Sequence, residues 1–196
     1  MDTGWVSLMI TVGILLVGAA FGLLYFMKKN PSAKNTPQPT AAKNEDTLAS
    51  PLSGTVIPLE QVQDDVFSSG MLGSGLAILP ESGELYAPAD GVIANIPESR
   101  HAIALTADCG VELLMHIGID TVNLKGEPFT LHVKEGDRVR KGQLLMTFDL
   151  ATIKESGCDP VTPLILTEVD GWHFTGVKGQ IRAGDVLMSL EKDRKN

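Results

Sequence analysis

Two histidines are spaced to work as a pair. His116 closes the apolar run Val111-Glu112-Leu113-Leu114-Met115-His116-Ile117, flanked by Gly110 and Gly118, and His101 stands fifteen residues before it. Flanking glycines permit another molecule to approach the strand end closely. Residues 102–107 and 111–117 read as strands joined by Asp108-Cys109-Gly110, a cluster of turn formers, and so as a hairpin. A loop of two or four residues sets Ala107 opposite Gly110, Ile103 opposite Leu114 and His101 opposite His116, with the two Cβ atoms about 5 Å apart on one face. A three-residue loop without a bulge places the rings on opposite faces. Near neutral pH each imidazole offers one lone pair and, on its other nitrogen, a hydrogen to donate, so a facing pair suits metal binding or phosphoryl transfer. In the second chemistry His116 attacks while His101 donates to the phosphoryl oxygens. Two histidines that meet by accident of register are the inert alternative.

The elements that must position this pair are short. Apolar runs at 55–59, 76–79, 91–96, 102–106, 111–117, 144–148, 164–167 and 186–190 are each bounded by Gly, Pro, Asp or Ser, which predicts an all-β, antiparallel sandwich or barrel. Helix is scarce: one short piece over 150–155 and a turn over 59–63. Val139-Arg140-Lys141-Gly142-Gln143-Leu144-Leu145-Met146 is echoed by Ile181-Arg182-Ala183-Gly184-Asp185-Val186-Leu187-Met188, and Pro51-Leu52-Ser53-Gly54-Thr55-Val56 by Pro88-Ala89-Asp90-Gly91-Val92-Ile93. A doubled strand-turn-strand motif follows from those echoes. Met71, Met115, Met146 and Met188 are expected to fill core gaps.

Ahead of this domain lies a different kind of chain. Residues 5–27 carry no charged side chain and as a helix would be about 34 Å long, enough to cross a hydrocarbon core. Asp2 replaces the basic n-region of a secretory signal, and Lys28, Lys29, Lys34 and Lys43 all follow the run. The expectation is a single-pass anchor over 1–29 whose lysine-rich side, with everything after it, is cytoplasmic. Residues 30–46, polar and punctuated by Pro31, Pro37 and Pro39, read as a flexible linker, leaving one domain over 47–196.

The stretch 110–122 resembles the phosphorylation-site signature of the glucose-type enzyme IIA proteins of the bacterial phosphoenolpyruvate:sugar phosphotransferase system. Further landmarks resemble that family in order and spacing: Ser50-Pro51-Leu52-Ser53-Gly54, Asp64 to Phe67 with Gly73-Ser74-Gly75-Leu76-Ala77-Ile78, Ala87-Pro88-Ala89-Asp90-Gly91, and Lys134-Glu135-Gly136-Asp137 through Phe148-Asp149. The resemblance implies a sandwich with a duplicated hybrid motif and a phosphotransferase component that forms a phosphohistidine intermediate. In its terms His116 takes a phosphoryl group from the carrier protein HPr and gives it to a cysteine of an enzyme IIB domain. His101 contacts the phosphoryl group, Ser99 orients the His101 ring, and the Gly118 carbonyl fixes the His116 tautomer. Asp64 and Asp120 are the acidic contacts for a basic carrier surface. Independently of the resemblance, the apolar residues Phe67, Leu114 and Ile117 close to the site read either as the dry part of a docking face or as core, core being the default for any single one. Pro97 departs from the bulky aromatic residue often found there. The resemblance calls for no cofactor, nucleotide or resident metal.

Charge agrees with such a partner. The chain holds 16 Lys and Arg against 24 Asp and Glu, a formal net charge of −8, and four of the lysines precede the domain. That excess favours encounter with a basic protein surface and disfavours nucleic acid. A second function within the same resemblance is a regulatory protein that docks on permeases or kinases according to its phosphorylation state. A remote one is a lysostaphin-type zinc peptidase, because His116-Ile117-Gly118-Ile119-Asp120 has the H-x-x-x-D spacing; the H-x-H that such a site also needs is absent, and His132 and His173 stand alone. Cys109 and Cys158 form no C-x-x-C and no disulfide framework, as expected in a reducing compartment.

Overall fold

The computed structural model describes residues 46–168 and 171–193. The expected anchor over 1–29 and nearly all of the expected linker lie outside these residues. Among the described residues no helix is long and apolar enough to cross a membrane.

The strands are β1 (Asp46–Ala49), β2 (Gly54–Pro58), β3 (Ser74–Pro80), β4 (Glu84–Tyr86), β5 (Gly91–Asn95), β6 (Ala102–Ala107), β7 (Glu112–His116), β8 (Phe129–Leu131), β9 (Arg138–Val139), β10 (Leu144–Phe148), β11 (Thr162–Leu166), β12 (Trp172–Gly176), β13 (Gly179–Ile181) and β14 (Val186–Lys192). They form an eight-stranded sheet in the order β13-β2-β3-β11-β7-β6-β5-β9 and two three-stranded sheets, β1-β14-β12 and β4-β10-β8. Every strand pairing is antiparallel. All eight apolar runs bounded by turn residues fall on strands. β1, β4, β8, β9, β12 and β13 lie outside those runs, and all but β12 have four residues or fewer.

The strand orders carry the internal echoes further than the motifs do. Substituting β4 through β10, in sequence, for β1–β3 followed by β11–β14 maps the large sheet onto itself in reverse and each small sheet onto the other. Gly54 lies opposite Ile181 as Gly91 lies opposite Val139, and a Cβ at either glycine would run into the carbonyl of the next strand, that of Leu79 or of Thr106. The paired turns match in their bonds as well: the Gly142 N–H donates to the Ala87 carbonyl at 2.8 Å and the Gly184 N–H to the Ser50 carbonyl at 2.9 Å.

One face of the large sheet, including Val56, Ile78, Ile93, Ile103, Leu105, Met115 and Leu164, packs with Leu48, Leu85, Phe129, Met146, Met188 and Leu190 of the small sheets into the principal core. Leucine, isoleucine and valine make up most of it, apolar side chains that fill a buried core. The three buried polar residues among the described residues are satisfied locally: Ser50 donates to the Leu52 carbonyl, Thr121 to that of Ile117 and Thr162 to that of Pro160. The opposite face is covered in one place only partly anticipated. A 3-10 turn, Leu59–Gln61, and a short helix α1, Asp65–Ser68, fold over it and bury Leu59, Val62 and Phe67 against Ala77, Ile119, Val161 and Ile165. A second helix, α2 (Leu150–Glu155), is capped by the Asp149 side chain, which accepts the Ala151 and Thr152 N–H groups at 3.0 Å. Met115, Met146 and Met188 are fully buried as expected, whereas Met71 is 77% exposed, because α1 ends before it and the chain turns into solvent.

Candidate active site

The hairpin β6–β7 turns with one residue fewer than a facing histidine pair requires. Asp108-Cys109-Gly110 is a three-residue loop: the Ala107 N–H donates to the Val111 carbonyl, and the Gly110 N–H to that of Ala107 with Gly110 at φ +92°. Glycine in that left-handed position closes such a loop. Ile103 therefore opposes Met115, Ala104 opposes Leu114, and Ala102, not His101, opposes His116. The expected register, with His101 opposite His116, is corrected by one residue. His116 leaves the sheet on the outer face beside Leu114, next to the cover formed by α1.

The rings meet nonetheless. Their centroids lie 4.8 Å apart with the planes at 72°. His101 precedes β6 and is reached through Arg100, whose φ is +55° and whose N–H donates to the Pro97 carbonyl at 2.8 Å. The left-handed residue stands immediately before His101, so strand parity alone does not govern where the His101 ring goes.

Each ring is held through Nδ1. His116 Nδ1 lies 2.7 Å from the Gly118 carbonyl oxygen, which can only accept, so that nitrogen carries the hydrogen and Nε2 keeps the lone pair. His101 Nδ1 lies 2.7 Å from Ser99 Oγ. A Ser99 hydroxyl that donates to Nδ1 leaves the proton of neutral His101 on Nε2. The pair then consists of one nucleophilic nitrogen and one N–H donor. Burial, and after it the charge of His101, pushes the His116 imidazole down to about 4; the Gly118 carbonyl, Asp64 and Asp120 pull the other way without prevailing. Burial lowers His101 as well. At pH 7 His116 is neutral and able to attack.

That shift has a consequence for stability. A histidine whose pKa falls on folding, here from an ordinary 6.5 to about 4, stabilises the native state above 6.5, and the contribution disappears as pH drops through the folded value. Chemical denaturation between pH 7 and pH 4 is expected to show a loss of about 3 kcal/mol that the His116→Gln variant lacks. Equal acid sensitivity in the two proteins would contradict it.

The remaining expected site residues fall into two groups. Asp64 caps α1, its Oδ1 accepting the Val66 and Phe67 N–H groups at 2.9 and 3.1 Å, and so directs Phe67. The Phe67 ring, only 6% exposed, packs at 5.0 Å and 61° against His116. Gly118, at φ +73°, turns the chain after β7, and a Cβ there would press on Thr121 Cγ2 and the Asp159 carbonyl. Its glycine therefore serves internal packing rather than the close approach of another molecule, and Gly110 sits at the far end of the hairpin. Asp120 is exposed and left-handed at φ +61°; the strand has ended at His116, so strand parity does not place it, although its charge still acts on His116. Of the apolar residues near the site, Ile117 takes the core alternative and is fully buried in the principal core. His132 and His173 are taken up elsewhere, by Thr147 at 3.2 Å and Asp193 at 3.1 Å.

Sequence reasoning missed two features. Thr121 Oγ1 donates to the Ile117 carbonyl at 2.6 Å and ties down the turn that carries Gly118; a threonine hydroxyl bonding back to the carbonyl four residues before it is a recognised local pattern. Val66, Met71, Leu72 and Val122 are exposed apolar side chains on the segments bordering the site, and Val122 lines a groove of about 360 Å³ with Glu98, Ser99 and Lys125. Exposure of that kind leaves no trace in apolar periodicity.

Comparison with known proteins converges on one family. The family model described as phosphoenolpyruvate-dependent sugar phosphotransferase system, EIIA 1, matches residues 46–171, a span that includes both rings. The PTS system glucose-specific EIIA component of Oceanobacillus iheyensis is 47% identical over 126 residues, 64% of this chain and 76% of that protein. The PTS system beta-glucoside-specific EIIBCA component of Bacillus subtilis is 41% identical over 175 residues, 88% of this chain, which spans only 29% of that longer relative. The solved glucose permease IIA from Mycoplasma capricolum superposes with a TM-score of 0.71 at 34% identity, covering 76% of this chain and 96% of that one. From His116 and its partner ring to the strand order that carries them, this chain belongs to the EIIA family of the phosphoenolpyruvate-dependent sugar phosphotransferase system.

Proposed function

We propose that the chain is a phosphocarrier in which His116 receives a phosphoryl group from phospho-HPr and passes it to a cysteine of an enzyme IIB domain during sugar uptake. The observation that carries this is the tautomer of His116: a neutral ring, its hydrogen committed to the Gly118 carbonyl and its Nε2 lone pair beside a second imidazole 4.8 Å away. The lone pair forms the Nε2–P bond as the donor's N–P bond breaks and its electron pair returns to the donor ring. Positive charge that builds on His116 is stabilised at Nδ1–H by the Gly118 carbonyl, while His101 Nε2–H, oriented by Ser99, donates to the phosphoryl oxygens. No nucleotide takes part, and the group is stored rather than hydrolysed. Asp64 and Asp120 face a basic donor surface, and Phe67 keeps one side of the His116 ring dry.

The duplicated strand order supports a sandwich built from two copies of a hybrid motif, one inserted in the other. Residues 5–27 serve as a single membrane span, and residues 30–46 as the tether of a cytoplasmic domain; the charge-free run and the lysines that follow it support this. A regulatory role by docking is favoured by the exposed Val66, Met71, Leu72 and Val122, since a phosphoryl group of nearly two charges at His116 would oppose apolar contact there.

Incubation with phosphoenolpyruvate, enzyme I and HPr is expected to place one acid-labile phosphate on the chain, and its absence would remove the proposal. Full-length protein is expected in the membrane fraction after an alkaline wash, and a version lacking residues 1–29 in the supernatant. Recovery of both in the supernatant would remove the anchor.

A further inference from the structure

Among the described residues three that are not glycine have left-handed backbone: Arg100 at φ +55°, Asp120 at +61° and Lys125 at +52°. All three lie on the two segments that flank the histidine pair. Such conformations are rare for L side chains and concentrate where a fold forces a special geometry. Asp120 and Lys125 cap the ends of the 3-10 turn Thr121–Leu124. Arg100 caps nothing, and the residue after it is His101.

We infer that Arg100 is a positioning residue, whose left-handed backbone carries the His101 ring to the outer side of the hairpin beside His116. Strand parity alone would do the opposite. The His101 carbonyl accepts the Ile117 N–H at 2.8 Å, so residue 101 still pairs with Ile117, and opposed residues of an antiparallel pair share a face. Ile117 and the next residue of that parity, Ile103, are fully buried in the principal core. The His101 ring lies instead against His116, which projects from the other side. The reversal is confined to a short loop with both ends pinned. Glu135 Oε1 accepts the Ile96 N–H at 2.8 Å before it, and the Arg100 N–H bonds back to the Pro97 carbonyl within it. The Ser99 carbonyl and Arg100 stem lie over Gly126, where a Cβ would sit 3.6 Å from each. Because β6 begins only at Ala102, one left-handed residue suffices to turn the ring.

This rests on the proposed relay for its rate readout only. Glycine and asparagine accept left-handed backbone, whereas the β-branched residues valine and threonine resist it. Arg100→Gly, Arg100→Asn, Arg100→Val and Arg100→Thr all remove the guanidinium, so a role of its charge would move the four alike. Ring-nitrogen NMR titration of each full-length variant reports whether the imidazoles still interact, with Asp64 and Asp120 the carboxylates that act on His116 in every one. The glycine and asparagine variants are expected to titrate and to transfer phosphate as the parent does. In the valine and threonine variants His116 is expected to titrate at higher pH, as His101 no longer opposes its protonation, and transfer is expected to slow about tenfold or more. Identical behaviour of all four, a parental titration in the β-branched pair, or failure of that pair to fold would overturn the inference. Should the parent accept no phosphate, the relay fails while the titrations still decide the role of Arg100.

Discussion

Replacing His116 by glutamine is expected to abolish phosphorylation by phospho-HPr, lowering the rate by about ten-thousand-fold or more, as loss of a covalent nucleophile does elsewhere. The magnitude follows from how the site divides its work. Only one nitrogen of the pair has an uncommitted lone pair: His116 Nδ1 is committed to the Gly118 carbonyl, which leaves Nε2 to attack. The amide of the substituted glutamine has no comparable basic nitrogen. Its shape and its capacity to donate to Gly118 keep the variant folded, and the His101 ring is left in place. Quantifying acid-labile phosphate per chain, with the native protein beside it, decides the matter. A full equivalent on the variant would move the nucleophile to another residue, with His101 the first candidate.

The fold was largely legible because its signals are local and repeated. Apolar runs bounded by Gly, Pro, Asp or Ser mark the long strands, and the short helix expected over 150–155 is α2 at its observed limits, with the Asp149 side chain as its cap. What escaped depended on long-range partners. A strand of two residues such as β9 exists only because Gly91 and Val92 are there to pair with it. The register of β6 and β7 turned on whether Gly110 belongs to the loop or to the strand, a choice of one residue that composition leaves open. The ring pairing survived that error for a reason invisible in the sequence: nothing in the order Glu98-Ser99-Arg100-His101 signals a left-handed arginine. Met71 shows the same limit from the other side. Its apolar character placed it in the core, and only the end of α1 at Ser68 shows that the chain has no core left to enter.

His101→Gln is expected to retain the nucleophile and lose most of the rate. Donors aimed at developing charge in a water-poor site are worth about a hundred- to a thousandfold each, and His101 Nε2–H is the donor that Ser99 holds in place. Transfer from phospho-HPr and onward transfer to an enzyme IIB cysteine should both slow by about that factor, since the same oxygens carry charge in either direction. The loss should appear in kcat with KM for the partner nearly unchanged, because the His101 ring lies against His116 and is not among the exposed apolar side chains that border the site. The pH profile separates this role from mere packing. With His116 at about 4, the native relay is expected to hold its rate from pH 7 to about pH 5, where an ordinary histidine of 6.5 would already be protonated. Removing His101 withdraws the charge that helps keep His116 deprotonated, so the acid limb of the variant should move to higher pH. A slow variant whose acid limb stays with the parent's would show that the two rings, though 4.8 Å apart, titrate and act independently.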